Sequence, residues 1–267
     1  MLCVKYARPG LKNVDLNEVP QIKIEYDPKD ETLEEFIDRY KDKHIYIQII
    51  NKTFFKTLED MNRFKALKEK KNWSLIVSFD DVPGAKVELL KEICNNYIFS
   101  DMVDEWEDLQ ELLNYGVSEV YITNMLGFDL ERVKRECDKR QVKLRAVANF
   151  AQCRNDAVTP AIKRFFIRPE DIEYYNDYLY GIEFVGEQNV QEVCWKAYSR
   201  GYWYGDLSEL IIGLGTDLDS RRLPKNFGSL RAICGKRCIT GGGCSVCRTM
   251  TDFVEIMEKT DSMIDYD

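Results

Sequence analysis

The sequence predicts an α/β fold: a (β/α)8 TIM-like barrel with a C-terminal cysteine-rich metal-binding appendage. Three observations carry this expectation. Short apolar runs alternate with amphipathic stretches of helical period from residue 22 to residue 200, the pattern of parallel strands joined by crossover helices. Eight such units fill roughly 180 residues, which suits a compact barrel. No Gly-rich phosphate fingerprint follows the first run, which argues against the rival doubly wound sheet.

The elements follow in order. Residues 1–20 read as an irregular extension, broken by Pro9-Gly10 and Pro20. IKIEY (22–26) reads as a strand. Thr32 and Glu35 form a capping box before a helix faced by Leu33, Phe36, Ile37 and Tyr40. IYIQII (45–50) is the second strand, and Leu58, Met61, Phe64 and Leu67 face its helix. SLIVSF (74–79) is followed by Val87, Leu90 and Cys94. YIFSDM (97–102) is followed by Trp106, Leu109, Leu112 and Leu113, with Gly116 as the stop. SEVYIT (118–123) precedes Leu130, Val133 and Cys137. VKLRAVANF (142–150) is a strand with no clear helix after it. RFFI (164–167) is a short strand, and Pro169 opens the next helix, where proline is best tolerated. GIEFV (181–185) is the last strand, followed at helical spacing by Val190, Val193, Cys194 and Ala197.

The domain reading is a barrel over 1–205 and an appendage over 206–267. The appendage holds a polar linker, the cysteine segment and a helix around Phe253, Ile256 and Met257.

A chain of 267 residues can bury a large core without disulfides. Its net charge of −8 argues against nonspecific nucleic-acid binding as the main function, because neutralising phosphates needs clustered Lys and Arg. Basic residues do gather between Arg221 and Arg237, where they read as a solvated linker. No apolar run reaches the length of a membrane span, and MLCVKYARPG lacks the pattern of a secretory signal. The expectation is a cytoplasmic protein with reduced cysteines and no membrane partner.

Barrel active sites form at the C-terminal ends of the strands. Those positions hold Asp27, Asn51, Asp80, Asp81, Asp101, Asn124, Asn149, Arg168 and Glu187. Asn149 and Arg168 are the candidate catalytic pair, because they flank the one loop without a clear helix. The sole histidine, His44, precedes a strand and so falls on the opposite face. Without a histidine at the mouth, Ser-His-Asp and Cys-His hydrolases are disfavoured, as are three-histidine and HExxH zinc enzymes.

Four cysteines crowd CGKRCITGGGCSVC, residues 234–247, at the spacing C-x3-C-x5-C-x2-C. Four thiolates can close a tetrahedral zinc site or hold an iron–sulfur cluster, and the spacing does not choose between them. The glycines let backbone fold closely around a metal. Lys236, Arg237 and Arg248 offset thiolate charge. Cys234, Cys238, Cys244 and Cys247 are therefore the candidate metal ligands. Cys153, in the irregular loop, is a candidate fifth thiol for cofactor binding. Cys94, Cys137 and Cys194 fall on apolar helix faces and read as core residues, and Cys3 reads as packed.

The stretch RPEDIEYYNDYLYGIEFVG, with VCWKAYSRG after it, resembles the peptidase U32 family over residues 118–205. GGGCSVC is similar to a cysteine-rich tail of some members, and Cys153 stands where members place cluster cysteines. The resemblance implies a barrel of (β/α) units with a [4Fe–4S] cluster, and an oxygen-independent hydroxylase or related redox enzyme acting on RNA or a small aromatic substrate. The alternatives are a binding or assembly protein with a structural zinc site, whose tail docks a protein partner, and a peptidase. One departure is that Cys153 stands alone in the middle region. Another is that the family's Lys-Ile-Glu-Gly-Arg strand is here Glu183, Phe184, Val185, Gly186 and Glu187, with acids in place of both bases.

Overall fold

The computed structural model describes residues 2–6, 21–27, 33–49, 58–78, 87–103, 105–122, 129–151, 165–214, 218–225 and 227–229. The strands are β1 Leu2–Tyr6, β2 Gln21–Glu25, β3 His44–Gln48, β4 Trp73–Val77, β5 Tyr97–Val103, β6 Glu119–Ile122, β7 Lys143–Val147 and β8 Gly181–Glu183. The helices are α1 Leu33–Arg39, α2 Leu58–Leu67, α3 Val87–Ile93, α4 Trp106–Tyr115, α5 Leu130–Lys139, α6 Ile172–Tyr175 and α7 Gln188–Arg200. A 3-10 turn, Pro169–Asp171, leads into α6. No helix among the described residues is long and apolar enough to cross a membrane.

The α/β class holds, but the expected (β/α)8 barrel is contradicted. Seven strands, β2 to β8, alternate with helices, and they do not begin a repeat of eight strand–helix units at residue 22. Of residues 164–167, expected as a strand, Arg164 lies outside the described residues and 165–167 supply none: Phe165 makes only an isolated bridge. Phe165 instead packs on Tyr175, and Phe166 on Phe227. The additional strand is β1, in a stretch expected to be irregular. It pairs in parallel with β2 and with β8, Cys3 standing beside both Gln21 and Glu183.

The strands are largely buried, as parallel strands covered on both faces are. All of β4 and β6 is buried. Register runs in rows: Ile24 beside Ile47, Ile47 beside Leu75, Leu75 beside Tyr97. A second row sets Lys23 beside Tyr46 and Tyr46 beside Ser74. Because side chains alternate between faces along a strand, the two rows face opposite ways. The helices bury one stripe each, such as Leu109, Leu112 and Leu113 on α4. Gly116 ends α4 as expected: its φ of 77° is left-handed, and its N–H returns to the Leu113 carbonyl. On α7 the buried stripe is Cys194, Ala197 and Tyr198, whereas Val193, expected on it, is 39% exposed.

Contacts divide the chain into two compact units. The first comprises Met1–Tyr121, Glu136–Arg145 and Tyr180–Glu183, and the second comprises Ile122–Arg135, Ala146–Leu179 and Phe184–Asp267.

Candidate functional site

The first unit buries a charged network on one face of its strands. Gln21 and Lys23 come from β2, Tyr46 from β3, Glu119 from β6, Arg145 from β7 and Glu183 from β8. All six are buried, and Arg145 is 0% exposed. Alternation explains the shared face: Gln21 and Lys23 are two apart on their strand.

Each charge in this network meets an opposite one. Lys23 Nζ donates to Glu183 Oε1 at 2.5 Å. Arg145 Nε donates to Glu119 Oε2, and its Nη2 donates to Gln21 Oε1 at 2.9 Å and to the Tyr46 hydroxyl. The Tyr46 hydroxyl donates in turn to Glu119 Oε1 at 3.1 Å. The Arg145 guanidinium lies 4.7 Å from the Tyr46 ring centre and 5.1 Å from that of Tyr180, within cation–π range. Lys143 approaches Glu119 at 3.6 Å from the more exposed side. Unpaired buried charge is very costly, so this pairing is what allows the strands to carry charges at all.

His44 stands at the edge of this network. Its Nε2 lies 2.8 Å from Ser74 Oγ. Burial holds its imidazole down at about 4, against the opposing pull of Glu119 and with help from Lys143 and Arg145. Near neutrality the ring is uncharged. Ser74 is 1% exposed, so this Ser–His contact offers no hydroxyl to a substrate.

The second unit holds the two residues that the sequence proposed as catalytic. Asn149 is 0% exposed. Its Nδ2 donates to the Val185 carbonyl at 2.9 Å, and its Oδ1 accepts from the Val185 N–H at 2.8 Å. The next residues continue as an edge: Ile212 N–H donates to the Asn149 carbonyl and Ala151 N–H to the Ile212 carbonyl. Asn149 thus ties two chain segments together.

Arg168 is 1% exposed. Its Nε and Nη2 grip Asp171 Oδ2 and Oδ1 at 2.7 and 2.8 Å. The fork follows from spacing: Pro169 fixes a 3-10 turn, in which residues three apart eclipse. The guanidinium also donates to the Ser220 carbonyl at 3.2 Å and the Pro224 carbonyl at 3.0 Å. The Asn149 and Arg168 side chains thus serve the packing of the second unit.

The other expected positions scatter. Asp27 and Glu187 are exposed, and Asp101 lies on β5. Asn51, Asp80, Asp81 and Asn124 lie outside the described residues. So do Cys153, Cys234, Cys238, Cys244 and Cys247. Cys3 is on β1. Among the described residues no group of His, Cys, Asp and Glu could hold a metal ion.

Cys94, Cys137 and Cys194 are buried, as expected. Burial pushes the thiols of Cys94 and Cys194 up to about 12. Cys94 Sγ donates to the Leu90 carbonyl at 3.2 Å, and Cys194 Sγ to the Leu210 carbonyl at 3.5 Å.

The buried network escaped sequence reasoning. Its signal was a charge placed inside an otherwise apolar strand: Lys23 in IKIEY, Glu119 in SEVYIT, Arg145 in VKLRAVANF. Comparison of the chain with protein-family models, with curated proteins and with solved structures finds no match.

Proposed function

We propose that this α/β protein binds an iron–sulfur cluster through Cys234, Cys238, Cys244 and Cys247, and that it is a redox protein of the kind implied by its U32-like residues. The observation that supports this reading is the division of labour among the cysteines. Three of the described ones, Cys94, Cys137 and Cys194, are buried, and burial pushes the thiols of Cys94 and Cys194 up to about 12, which suits packing and opposes metal ligation, because the thiolate is the ligand. The four thiols of residues 234–247 have the donor chemistry that a cluster requires. Bound there, the cluster would supply one-electron chemistry. Lys236, Arg237 and Arg248 would balance its thiolate charge. The net charge of −8 favours a small aromatic substrate over RNA.

The test is metal and sulfide analysis of the full chain purified without oxygen. The expected result is brown protein with about four iron and four sulfide per chain. Its loss on changing the four cysteines to serine supports these ligands. Colourless protein with stoichiometric zinc overturns the reading in favour of a structural zinc site.

A further inference from the structure

Two contacts of the buried network straddle β1. Lys23 on β2 pairs with Glu183 on β8 at 2.5 Å, and β1 lies beside both of those strands. Gln21, two residues before Lys23 and on the same face, accepts from Arg145 Nη2 at 2.9 Å. Arg145 is on β7. β7 in turn is tied to the start of β8, where the Tyr180 N–H donates to the Leu144 carbonyl at 2.7 Å.

Neighbouring strands lie about 4.8 Å apart, so β2 and β8 stand about 10 Å apart with β1 between them. The Lys23 and Glu183 side chains, both buried, meet across that gap. Neither contact uses an atom of β1, so neither needs β1 in place. β1 itself is held unevenly. β2 stands beside it from Cys3 to Tyr6, whereas β8, three residues long, stands beside Leu2 and Cys3. β2 is better anchored, in register with β3 from Gln21 to Glu25. Apolar residues could hold the two banks as firmly as a buried ion pair, and often more stably. What the polar contacts add is a fixed length and register, because each donor must meet its own acceptor.

We infer that β1 is a releasable strap. It seats in a slot between β2 and β8 whose width the Lys23–Glu183 and Gln21–Arg145 contacts hold, and it leaves that slot while the rest of the sheet stays paired. Lys23, Glu183 and Gln21 are positioning residues for β1. Breaking either span deforms the slot and favours the released strand.

The experiment is hydrogen exchange of the full chain, read by mass spectrometry on peptides that cover β1 and β4. Three variants cut a span: Glu183→Gln, Gln21→Met, and Glu183→Gln combined with Lys23→Met. The double variant removes the pair without stranding a charge, and Gln21→Met leaves the ion pair intact, so the test stands even where Glu183→Gln alone does not fold. Tyr97→Phe is the control, since it removes a hydrogen bond of the same unit, to the Tyr115 carbonyl. The expected result is that β1 exchanges faster than β4 in the wild type. In all three span variants β1 should exchange about tenfold faster still, with β4 at its wild-type rate. Tyr97→Phe should leave β1 unchanged. In the double variant β1 should stay fast although the urea midpoint returns toward that of the wild type, a split that general loosening does not produce. An unchanged β1 rate in the span variants overturns the inference. So does acceleration of β1 and β4 together, equal acceleration in Tyr97→Phe, or a wild-type β1 that exchanges no faster than β4.

Discussion

Lys23 on β2 and Glu183 on β8 form a buried ion pair at 2.5 Å, although β1 lies between their strands. The pair spans β1 on one face. It also accounts for an acid buried in the last strand: Glu183 answers Lys23.

Glu183→Gln leaves Lys23 buried beside a neutral partner. The expected cost is about 3 kcal/mol or more in urea unfolding. Adding Lys23→Met removes the stranded charge and should recover most of that loss. Additive losses in the double variant would show that the two residues act independently.

His44 sets a pH dependence. Its folded value of about 4 lies below the ordinary histidine value of about 6.5. Between these values the unfolded chain binds more protons, so stability rises with pH across that window. The contribution is fully present above about pH 6.5 and is lost as the pH falls toward 4. Half-buried as the ring is, the expected loss between pH 7 and pH 4.5 is about 2 kcal/mol. His44→Gln should flatten this part of the profile, measured as unfolding midpoints across pH. An unchanged slope in the variant would assign the loss to other groups.

Thiol reactivity separates the cysteines. At pH 8 the buried thiols of Cys94 and Cys194 carry only about one part in ten thousand of thiolate, given values near 12. In the native, cluster-free chain, iodoacetamide should modify Cys234, Cys238, Cys244 and Cys247 and spare Cys94, Cys137 and Cys194 until denaturant is added. Peptide mapping by mass spectrometry reads the pattern. Rapid native labelling of Cys94 or Cys194 would contradict the packing described for them.

The sequence made most of this fold legible through period. Helical stripes such as Leu109, Leu112 and Leu113 were visible because a one-sided helix writes its face at fixed intervals. Gly116 and Pro169 marked a helix end and a helix start because each has special backbone freedom or restriction. LCVKY was missed because five residues show too little period, and because what makes them a strand lies far along the chain in β2 and β8. RFFI misled for the converse reason: its apolar side chains serve aromatic packing against Tyr175 and Phe227. Arg168 stood out as a residue type, but its role depends on Asp171, Ser220 and Pro224, the last two more than fifty positions away. No local pattern encodes such a meeting.

The placement of β1 has a consequence for the order in which the chain is made. β1 is made before the other described strands, yet one of its two neighbours, β8, begins at residue 181. Leu2 gains Ile182 beside it only after nearly the whole first unit has been synthesised. Until then one edge of the earliest strand stands open. The pairing of β1 with β8 thus waits on a distant partner, and such a wait slows folding and invites pairing with other chains.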